Sequence, residues 1–382
     1  MNENTTGTLP YYPGSTTAQG LTVVSAPANP FQGANLRVWE PNVRPDMIQQ
    51  WNLSLEHQFP GEVLLSVGYI GQHGTHLIRA LTEYQRRLVG EGGCTSAEAL
   101  NFNGSPVLTC GSTFLEGNPV LNNEIGLILG TASVENQSYN ALQVAVTKHV
   151  SQGLEFLLSY TYSKSLADSV GYYGEFNTQA GGGGAAFPQD EYNQHSDWGP
   201  AYFDIRHNFV GSYVYKLPYG TGLKFGSNAN PILKGVLGNW QLSGIVTLHT
   251  GFPQTVTGPD ESGTESLSPR ADCLGTPSYP HGVGPNSKWF STSQFAVPST
   301  GTFGTCSNGT VIGPGRKDWD FGVSKIFNVT ESKGFEFTTQ FINFFNTPLF
   351  NAPDTSITSA TFGQVLTSSE ERNIQFGLKF HY

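Results

Sequence analysis

Nine segments of the chain alternate regularly between apolar and polar residues, which is the pattern of β-strands with one apolar face. In "WNLSLEHQF", for example, Leu53 and Leu55 fall on one face of an extended chain, while Ser54 and Glu56 fall on the other. Tight "PGE" and "SQG" turns join the first pair and the second pair of segments as hairpins. The pattern predicts an all-β chain with strands at about 48–59, 63–71, 139–150, 154–165, 206–217, 239–250, 318–327, 334–345 and 373–382.

The connections between these strands alternate in length. Short or moderate connections and long ones follow each other along the chain, with the short or moderate ones at 59–62, 150–153, 218–238 and 328–334, and the long ones at about 72–138, 164–203, 250–316 and 347–371. A water-soluble sandwich has no reason to sort its loops in this way. A transmembrane β-barrel does, because its periplasmic turns are short and its extracellular loops are long. The predicted fold class is therefore an antiparallel transmembrane β-barrel.

The composition agrees with a barrel and excludes a helical membrane protein. Charged residues make up 13% of the chain and aromatic residues 12%, and there are 46 glycines. The longest apolar runs, such as "VLLSV", fall far short of the roughly 18 residues that a membrane-spanning helix needs. A barrel strand needs only about 9–11 residues, every second one apolar, so the mean hydropathy of −0.25 does not argue against a membrane.

Charge and the amino-terminal sequence narrow the function further. With a net charge of −10 and only 19 scattered Lys and Arg residues, no nucleic-acid partner is expected. The start "MNENTTGTLPYYPG" lacks the basic and apolar regions of an export signal, which favours a fragment or a processed product. Residues 1–47 are predicted to be a loop-like extracellular segment, and residues 48–382 part of the barrel.

The number of predicted strands also bears on whether the chain is a fragment. Bacterial single-chain barrels close with an even number of strands, and nine is odd. Either a tenth strand is present, for which "GLTVVSA" at 20–26 is the candidate, or the rest of the barrel is missing. The chain is therefore expected to supply about nine or ten strands.

The four cysteines fall into two local pairs inside long polar connections. Cys94 lies near Cys110 in the sequence, and Cys273 lies near Cys306. Neither pair has the spacing of metal ligands, so one disulfide within each connection and an oxidising compartment are predicted. Four free thiols remain the alternative.

Several clusters of reactive side chains are candidates for catalytic or metal sites. The segment "QDEYNQHSDWG" gathers Asp190, Glu191, His195 and Asp197, but it lacks the ligand spacing of a calcium loop and is interpreted as a solvated acidic loop. In "QHGTH" there is no glutamate between the histidines and no helix to present them, so zinc binding by His73 and His76 is not favoured.

Two further motifs have simple explanations. In "FDIRHNF", Asp204 and Arg206 share one face and His207 lies on the other, which suits a charge pair near the barrel rim better than an acid–base relay. The "GGGG" at 181–184 lacks the strand, helix and Lys-Ser/Thr of a phosphate loop and is interpreted as a flexible connection. No catalytic set is found, so neither enzymatic activity nor a cofactor is predicted.

The polar face of the predicted strands is the expected wall of the barrel lumen. Its side chains are mostly polar and uncharged, as a wall facing water or a plug should be. They are Asn52, Ser54, Glu56, Gln58, Gln143, Thr147, Ser159, Thr161, Gln241, Ser243, Glu336, Thr338 and Gln340. Substrate choice is expected to lie in the long connections, whose aromatic residues include Tyr172, Tyr173, Trp198 and Trp289.

The last strand ends the sequence on an aromatic residue. Because every backbone polar group at membrane depth needs a partner, this strand is predicted to pair with the first strand and close the barrel. Gln375, Gly377, Phe380 and Tyr382 match the outer-membrane barrel assembly signal of a polar residue, any residue, glycine, two of any, a hydrophobic residue, any residue and an aromatic residue.

Beyond this signal, the chain from about Pro41 to Tyr382 resembles a known family. The motifs "SYNALQVAVTKHVSQGLEFLLSYTYSKSLAD", "YFDIRHNFVGSYVYKLPYG", "GNWQLSGIVTLHTGFP" and "FFNTPLFNAP" are similar to the later strands of Oar-like TonB-dependent transporters of the acidobacterial type. The resemblance implies a 22-stranded barrel plugged by an amino-terminal domain, located in the bacterial outer membrane. It also implies outer-membrane lipid, the barrel assembly machinery, a plug domain and TonB as partners. The sequence departs from this pattern in lacking a plug, a TonB-contacting segment and a signal.

Three hypotheses follow. The leading one is a TonB-dependent transporter or receptor barrel fragment that takes up or binds a substrate across the outer membrane. The alternatives are a secreted all-β carbohydrate-binding module, and a passive pore or adhesin without energy coupling.

Overall fold

The computed structural model describes residues 34–83, 85–101, 105–110, 125–169, 187–282, 284–330 and 333–381. Ten long strands and one α-helix form its framework. The strands are β1 (Ala34–Trp39), β2 (Met47–Phe59), β3 (Val63–Glu83), β4 (Ile125–Ser151), β5 (Leu154–Ala167), β6 (His207–Lys216), β7 (Trp240–His249), β8 (Arg316–Asn328), β9 (Gly334–Ile342) and β10 (Asn373–His381), and the helix is α1 (Pro231–Leu237).

Strands β2 to β10 form one antiparallel sheet in which each strand pairs with its neighbours in the sequence. Each of the nine predicted strands therefore has its counterpart in the sheet. Three-residue and two-residue turns at 60–62 and 152–153 join β2 to β3 and β4 to β5. Positive φ angles at Gly61, Glu62, Gln152 and Gly153 allow these tight reversals. The all-β, antiparallel fold is as predicted.

The register of the strands separates an apolar face from a polar face. Residues that pair directly across neighbouring strands share a face, so one row of pairs identifies the face at every strand. One row of paired residues on the apolar face contains Leu53, Tyr69, Leu142, Tyr162 and His207. Neighbouring rows on the same face extend to β10, where Phe376, Leu378 and Phe380 lie. All thirteen residues predicted for the polar wall lie on the opposite face.

The apolar face is not covered by other parts of the described chain. Leu53 is 65% exposed, Leu378 is 72% exposed and even Phe337 is 38% exposed. A β-sandwich would bury these side chains against a second sheet. Among the residues that the structure describes, no second sheet packs there, which removes the basis for the secreted-sandwich alternative.

Strands β3 and β4 are much longer than the sequence pattern predicted. The connection expected at 72–138 shrinks to 84–124, because β3 reaches Glu83 and β4 begins at Ile125. The pairing register shifts between Gly74 and Leu77, where His76 has a φ of +59°. Such a β-bulge reverses the side-chain parity, so a search for strict alternation stops at this point.

Part of the predicted amino-terminal loop is a strand. β1 pairs in parallel with the outer half of β4, from Ala34 opposite Ile125 to Trp39 opposite Thr131. β5 pairs with β4 only as far as Ala167, and β1 pairs with β4 beyond that point. The segment "GLTVVSA" at 20–26 lies outside the described residues.

The predicted pairing of the last strand with the first is wrong for this structure. β10 pairs with β9 and β2 pairs with β3, but β2 and β10 do not pair with each other. The described strands therefore form an open sheet with two free edges. No described helix has the length and apolar character to cross a membrane.

The described parts of the long connections fold together at one end of the sheet, and we call them the outer cap (residues 85–101, 105–110, 187–206, 250–282, 284–315 and 343–372). It contains the 3₁₀ turns Gln194–Asp197 and Thr292–Gln294 and short paired strands at Arg87–Leu88, Leu100–Asn101, Leu108–Cys110, Gly199–Pro200, Pro253–Gln254, Asp272–Cys273, Phe295–Ala296, Val311–Ile312, Leu349–Phe350 and Ser368–Ser369. Its core is a cluster of buried residues, Val256, Ala271, Phe290, Phe295, Cys306 and Val311. The connections therefore have a hydrophobic core of their own.

Both predicted cysteine pairs are disulfides in the structure. The Cys94 and Cys110 sulfur atoms are 2.02 Å apart, and those of Cys273 and Cys306 are 2.01 Å apart. The second disulfide lies in the core of the outer cap, where Cys306 is buried against its neighbours. Each disulfide closes one connection on itself.

Candidate ligand-binding face of the sheet

The polar face of the sheet carries two hollows. The larger one, of about 670 Å³, crosses the middle strands of the sheet. Leu157, Ser212, Ile245 and Asp320 pair in one row across it, from β5 to β8. Leu157 and Ile245 are exposed apolar side chains on an otherwise polar wall. This part of the wall therefore offers both hydrogen-bonding groups and apolar contact area.

The smaller hollow, of about 320 Å³, lies where the polar face meets the outer cap. Gln143, Thr161 and Asn208 form one row of direct neighbours on β4, β5 and β6. Tyr139 lies on the same face two rows nearer the cap, and Phe203 approaches from the connection before β6. Amides, a hydroxyl and two rings thus converge on one polar hollow.

Asp204 anchors the rim of the smaller hollow. One carboxylate oxygen accepts a hydrogen bond of 2.7 Å from the Ser165 backbone N–H, and the other pairs with Arg206 at 3.3 Å. Burial raises the pKa of Asp204, and the Ser165 hydrogen bond and the Arg206 charge act against that rise. The predicted Asp204–Arg206 charge pair is confirmed, although both residues precede β6 instead of lying within it.

A buried charge network fastens the outer cap to the sheet. Asp197 forms ion pairs with Arg79 through one carboxylate oxygen and with Arg270 through the other. All three side chains are almost fully buried. Arg79 belongs to the outer end of β3, whereas Asp197 and Arg270 belong to two different connections. The network therefore joins three segments that are far apart in the sequence.

Two buried glutamines extend this network. Gln85 donates to the Gln189 carbonyl and to the Thr264 hydroxyl, both at 2.9 Å, and accepts from the Glu191 N–H at 2.8 Å. Gln189 in turn accepts from the Arg270 N–H at 3.0 Å and donates to the Gly304 carbonyl at 2.9 Å. Because buried polar groups are costly unless paired, these bonds specify one arrangement of the connections.

Next to Arg79, acidic side chains lie close together on the outer end of β4 and beyond β5. Burial raises the pKa of Glu135 to about 7, nearby Asp168 raises it as well, and Arg79 lowers it. Burial also raises the pKa of Asp168, against the effect of hydrogen bonds from the Asn136 backbone and side chain. The outer end of the sheet therefore holds a carboxyl group whose pKa is near neutral pH.

The interpretation of "QDEYNQHSDWG" as a solvated acidic loop is wrong for two of its carboxylates. Asp190 and Asp197 are buried, and Asp197 has two arginine partners. Their charges are compensated from distant segments, which local composition does not reveal. Within the described ranges, no cluster of His, Cys, Asp and Glu could hold a metal ion.

The other predicted site residues are dispersed. His73 is an exposed residue of β3 and His76 lies in its bulge. Trp289, predicted as an exposed aromatic of the connections, is half-buried against the core of the outer cap and donates from Nε1 to the Ile312 carbonyl at 2.8 Å. Tyr172, Tyr173 and the glycines at 181–184 lie outside the described residues. The structure thus assigns Trp289 to the folding of the cap.

The assembly-signal residues lie in β10, except for Tyr382, which lies outside the described residues. Gln375 pairs across the polar face with Gln340, and Gly377 with Thr338. Phe380 pairs with Phe335 on the apolar face, with ring centroids 5.0 Å apart. The signal therefore combines residues from both faces of the last strand.

Sequence reasoning missed Arg79, Arg270, Gln85 and Gln189. Of these, only Arg79 carries a local signal, a charged side chain inside the apolar run of "LIRALTE". Their partners lie about 70 to 180 positions away. The pairing itself depends on how the connections fold.

The comparisons with known proteins agree with this geometry. A family model described as an outer membrane beta barrel domain matches residues 1–375. The chain belongs to this outer membrane β-barrel family. The apolar face is therefore the lipid-facing belt of a barrel, and the protein is located in the bacterial outer membrane.

Three solved structures with a similar fold are much longer than this chain. The outer membrane transporter YddB from Escherichia coli is 8% identical, with a TM-score of 0.43 over 92% of this chain and 34% of its own. The pyoverdine receptor FpvA from Pseudomonas aeruginosa PAO1 is 10% identical, with a TM-score of 0.38 over 88% of this chain and 30% of its own. The FrpB iron transporter from Neisseria meningitidis is 9% identical, with a TM-score of 0.36 over 91% and 32%.

The chain thus spans about a third of the length of these solved structures. No curated protein matches the sequence. Within the barrel family, the short connections lie at the periplasmic end and the outer cap lies outside the cell. With about 9–11 residues of each strand in the membrane, the outer halves of β3 and β4 extend beyond the lipid.

Proposed function

We propose that this chain is the C-terminal part of the barrel of a TonB-dependent outer-membrane transporter or receptor. Residues 48–382 supply barrel strands, and residues 1–47 are an extracellular segment that precedes them. The sequence motifs of the later strands support the Oar-like type of this transporter class. Uptake or binding of a substrate across the outer membrane is the corresponding function.

The continuous polar wall is the observation that carries this proposal. One row of paired residues crosses seven strands from Ser54 through Gln143, Thr161 and Asn208 to Arg316 without a large apolar side chain. Its reverse side is the lipid-facing belt. A wide barrel with an aqueous or plugged lumen requires a wall with a polar inner face and an apolar outer face.

The free edges of the sheet call for further strands. At membrane depth every backbone N–H and C=O must be paired, so β2 and β10 require partners there. A barrel of 22 strands would supply them, and its plug domain would cover the exposed Leu157 and Ile245 of the polar wall. The signal at Gln375, Gly377, Phe380 and Tyr382 would recruit the barrel assembly machinery.

The smaller hollow is the proposed substrate contact within this wall. Gln143, Thr161 and Asn208 supply neutral donors and acceptors, and Tyr139 supplies a ring face. Such a set suits a ligand rich in hydroxyl or amide groups. The hollow opens beside the outer cap, from which an external ligand would enter.

An adhesin or passive pore is the second candidate. The outer cap favours the adhesin form of this candidate, because its own hydrophobic core and two disulfides give it a fixed surface. A passive pore would instead use the polar wall as an open channel. Neither requires TonB.

Ion conductance and TonB binding separate these functions. The complete gene product, purified from outer membranes, is inserted into a planar bilayer in KCl. A plugged transporter shows no steady conductance and binds the purified periplasmic domain of TonB. Steady ohmic conductance without TonB binding contradicts the proposal and supports a pore, whereas a closed barrel that does not bind TonB contradicts it and supports an adhesin.

A further inference from the structure

The periplasmic connection between β6 and β7 differs from the other short connections. It contains 23 residues, from 217 to 239, where the neighbouring periplasmic turns have two to five. It is folded, with Gly220 and Phe225 joined by a backbone hydrogen bond of 2.9 Å and with helix α1 near its end. The sequence predicted a plain connection here. A folded element at this position needs an explanation.

Helix α1 has a clear start and end. Asn230 is its N-cap and accepts a 2.8 Å hydrogen bond from the Leu233 N–H, and Pro231 occupies the first helical position. Gly238 ends it, donating to the Lys234 carbonyl at 2.9 Å. The helix is therefore specified locally, although it is only 7 residues long.

The helix exposes an apolar side. Ile232, Leu233, Val236 and Leu237 fall within an arc of about 140°, at 100° per residue, and Lys234 points away from them. Ile232 is 77% exposed and Val236 is 57% exposed. No described residue covers this side. Short helices of this kind gain no stability from packing unless something outside the chain contacts them.

The structure fastens this helix to the lipid-facing side of the sheet. Trp240 donates from Nε1 to the Val236 carbonyl at 2.9 Å. Lys325 donates to the carbonyls of Val236 and Gly238 at 2.9 and 2.7 Å, and its Nζ lies 4.8 Å from the centre of the Trp240 ring. Trp240 and Lys325 pair directly on the apolar face, in line with Phe337 and Leu378. The apolar side of α1 thus continues the belt at its periplasmic edge.

The charge of the segment matches an anionic membrane surface. Lys224 and Lys234 lie within residues 217–239, which contain no Asp or Glu, although the whole chain has a net charge of −10. Exposed Leu223 and Phe225 add apolar area beside Lys224. Basic residues beside apolar ones are the signature of a segment that lies in the interface of a membrane with anionic lipids.

We propose that residues 217–239 form an interfacial anchor whose helix α1 lies in the periplasmic leaflet of the outer membrane and contacts anionic phospholipid. This anchor rests on the barrel orientation of the proposed function, but not on TonB coupling or on any substrate. It fixes the periplasmic rim of the barrel at β6 and β7 relative to the lipid surface. The lipid takes the place of a protein partner for the exposed apolar side.

Lipid quenching tests the anchor. The complete gene product is reconstituted into phosphatidylcholine vesicles with or without phosphatidylglycerol, each carrying a nitroxide-labelled lipid. An environment-sensitive thiol probe is attached in three separate variants, Ile232→Cys in the helix, Phe376→Cys in the belt and Leu366→Cys in the outer cap. The native cysteines do not react while they remain in disulfides.

The anchor predicts blue-shifted emission and lipid quenching at position 232, at about half or more of the quenching at position 376, because interfacial helices lie only 5–10 Å deep. It predicts no quenching at position 366. Quenching at 376 with none at 232 overturns the anchor and leaves the barrel intact. Absence of quenching at 376 overturns both the anchor and the membrane-spanning barrel.

The charge of the segment is tested in the same vesicles. Phosphatidylglycerol is expected to increase quenching at position 232, and the paired change Lys224→Gln with Lys234→Gln is expected to remove that increase. The same paired change should leave quenching at position 376 unaltered. Quenching at 232 that is insensitive to phosphatidylglycerol contradicts the anionic-lipid contact.

Discussion

The ring of Tyr213 lies across Gly244 of the neighbouring strand, so that a β-carbon at position 244 would stand 2.7 Å from the Tyr213 hydroxyl oxygen. The two residues are direct partners on the apolar face of β6 and β7. Glycine normally weakens a strand, because it contributes no side chain to the sheet surface. Here the tyrosine ring occupies the space that the glycine leaves.

Gly244→Val is therefore expected to destabilise the sheet by about 1–3 kcal/mol, since the new side chain must displace the ring. Urea unfolding in lipid vesicles, followed by tryptophan fluorescence, measures the loss. The control is the same change in a Tyr213→Ala background, where valine meets no ring and should be neutral or stabilising. An equal loss in both backgrounds would show that the ring contact is not the cause.

The disulfide in the core of the outer cap should matter more to the cap than the other disulfide. By the chain-entropy model, closing the 33-residue separation of Cys273 and Cys306 contributes about 4 kcal/mol, and the 16-residue separation of Cys94 and Cys110 about 3 kcal/mol. Cys306 also belongs to the buried cluster that contains Phe290, and Cys273 packs against that cluster. Replacing Cys273 and Cys306 by serine should make the outer cap sensitive to protease while the sheet stays resistant.

The variant with serine at 94 and 110 is the matched comparison. Mass analysis of the fragments identifies which connection is cut. If both variants are cut equally within 250–315, the Cys273–Cys306 disulfide has no special role in the core of the cap.

Asp197 is expected to be essential for the attachment of the outer cap. In Asp197→Asn the buried Arg79 and Arg270 lose their shared carboxylate, and removing one partner of a buried ion pair costs about 3–5 kcal/mol. Hydrogen exchange should accelerate in residues 187–198 and 262–272, with little change in β7 and β8. The measurement is mass-spectrometric exchange on the reconstituted protein.

Glu370→Gln provides the control for this change. Glu370 pairs with Arg316 at 3.0 Å, and both side chains are partly exposed. An exposed pair contributes about 0–1 kcal/mol, so this variant should exchange like the parent protein. Unchanged exchange in Asp197→Asn would contradict the role of the network in holding the cap.

The sequence pattern predicted the sheet far better than the outer cap. In the sheet, each strand such as β6 or β9 carries its own period-two signal, and the periodicity assigns every side chain to a face. The β3 bulge at His76 interrupts that signal, which is why the outer end of β3 was predicted as a loop. Local patterns therefore lose accuracy where a single extra residue changes the parity.

The cap is fixed by contacts that no local pattern contains. Gln85 meets Thr264 and Asp197 meets Arg270 only after the connections have folded over one another. The cysteine pairs were exceptions, because their placement within single connections restricts their partners. The candidate hollow was predicted in part, since Gln143 and Thr161 belong to the regular polar face but Phe203 and Asp204 come from an irregular segment.

The outer end of the sheet should lose stability as the pH rises through neutrality. Burial raises the pKa of Glu135 from 4.5 to about 7. Between these values the folded state holds a proton that the unfolded state releases, so stability falls as the pH increases. The contribution is fully present below about pH 4.5 and is lost once the pH exceeds about 7. Asp168, whose pKa is also raised by burial, acts in the same direction.

Between pH 6 and pH 8 the expected change is about 1–2 kcal/mol, or roughly a tenfold change in the equilibrium for local opening. Hydrogen exchange of the backbone amides in residues 77–83 and 128–136, corrected for intrinsic rates, measures it. Glu135→Gln should remove most of this pH dependence, because the neutral amide resembles the protonated acid, while the exposed Glu265→Gln should leave it intact. Exchange that slows with rising pH, or that keeps its full pH dependence in Glu135→Gln, would show that a different group controls the opening of this end of the sheet.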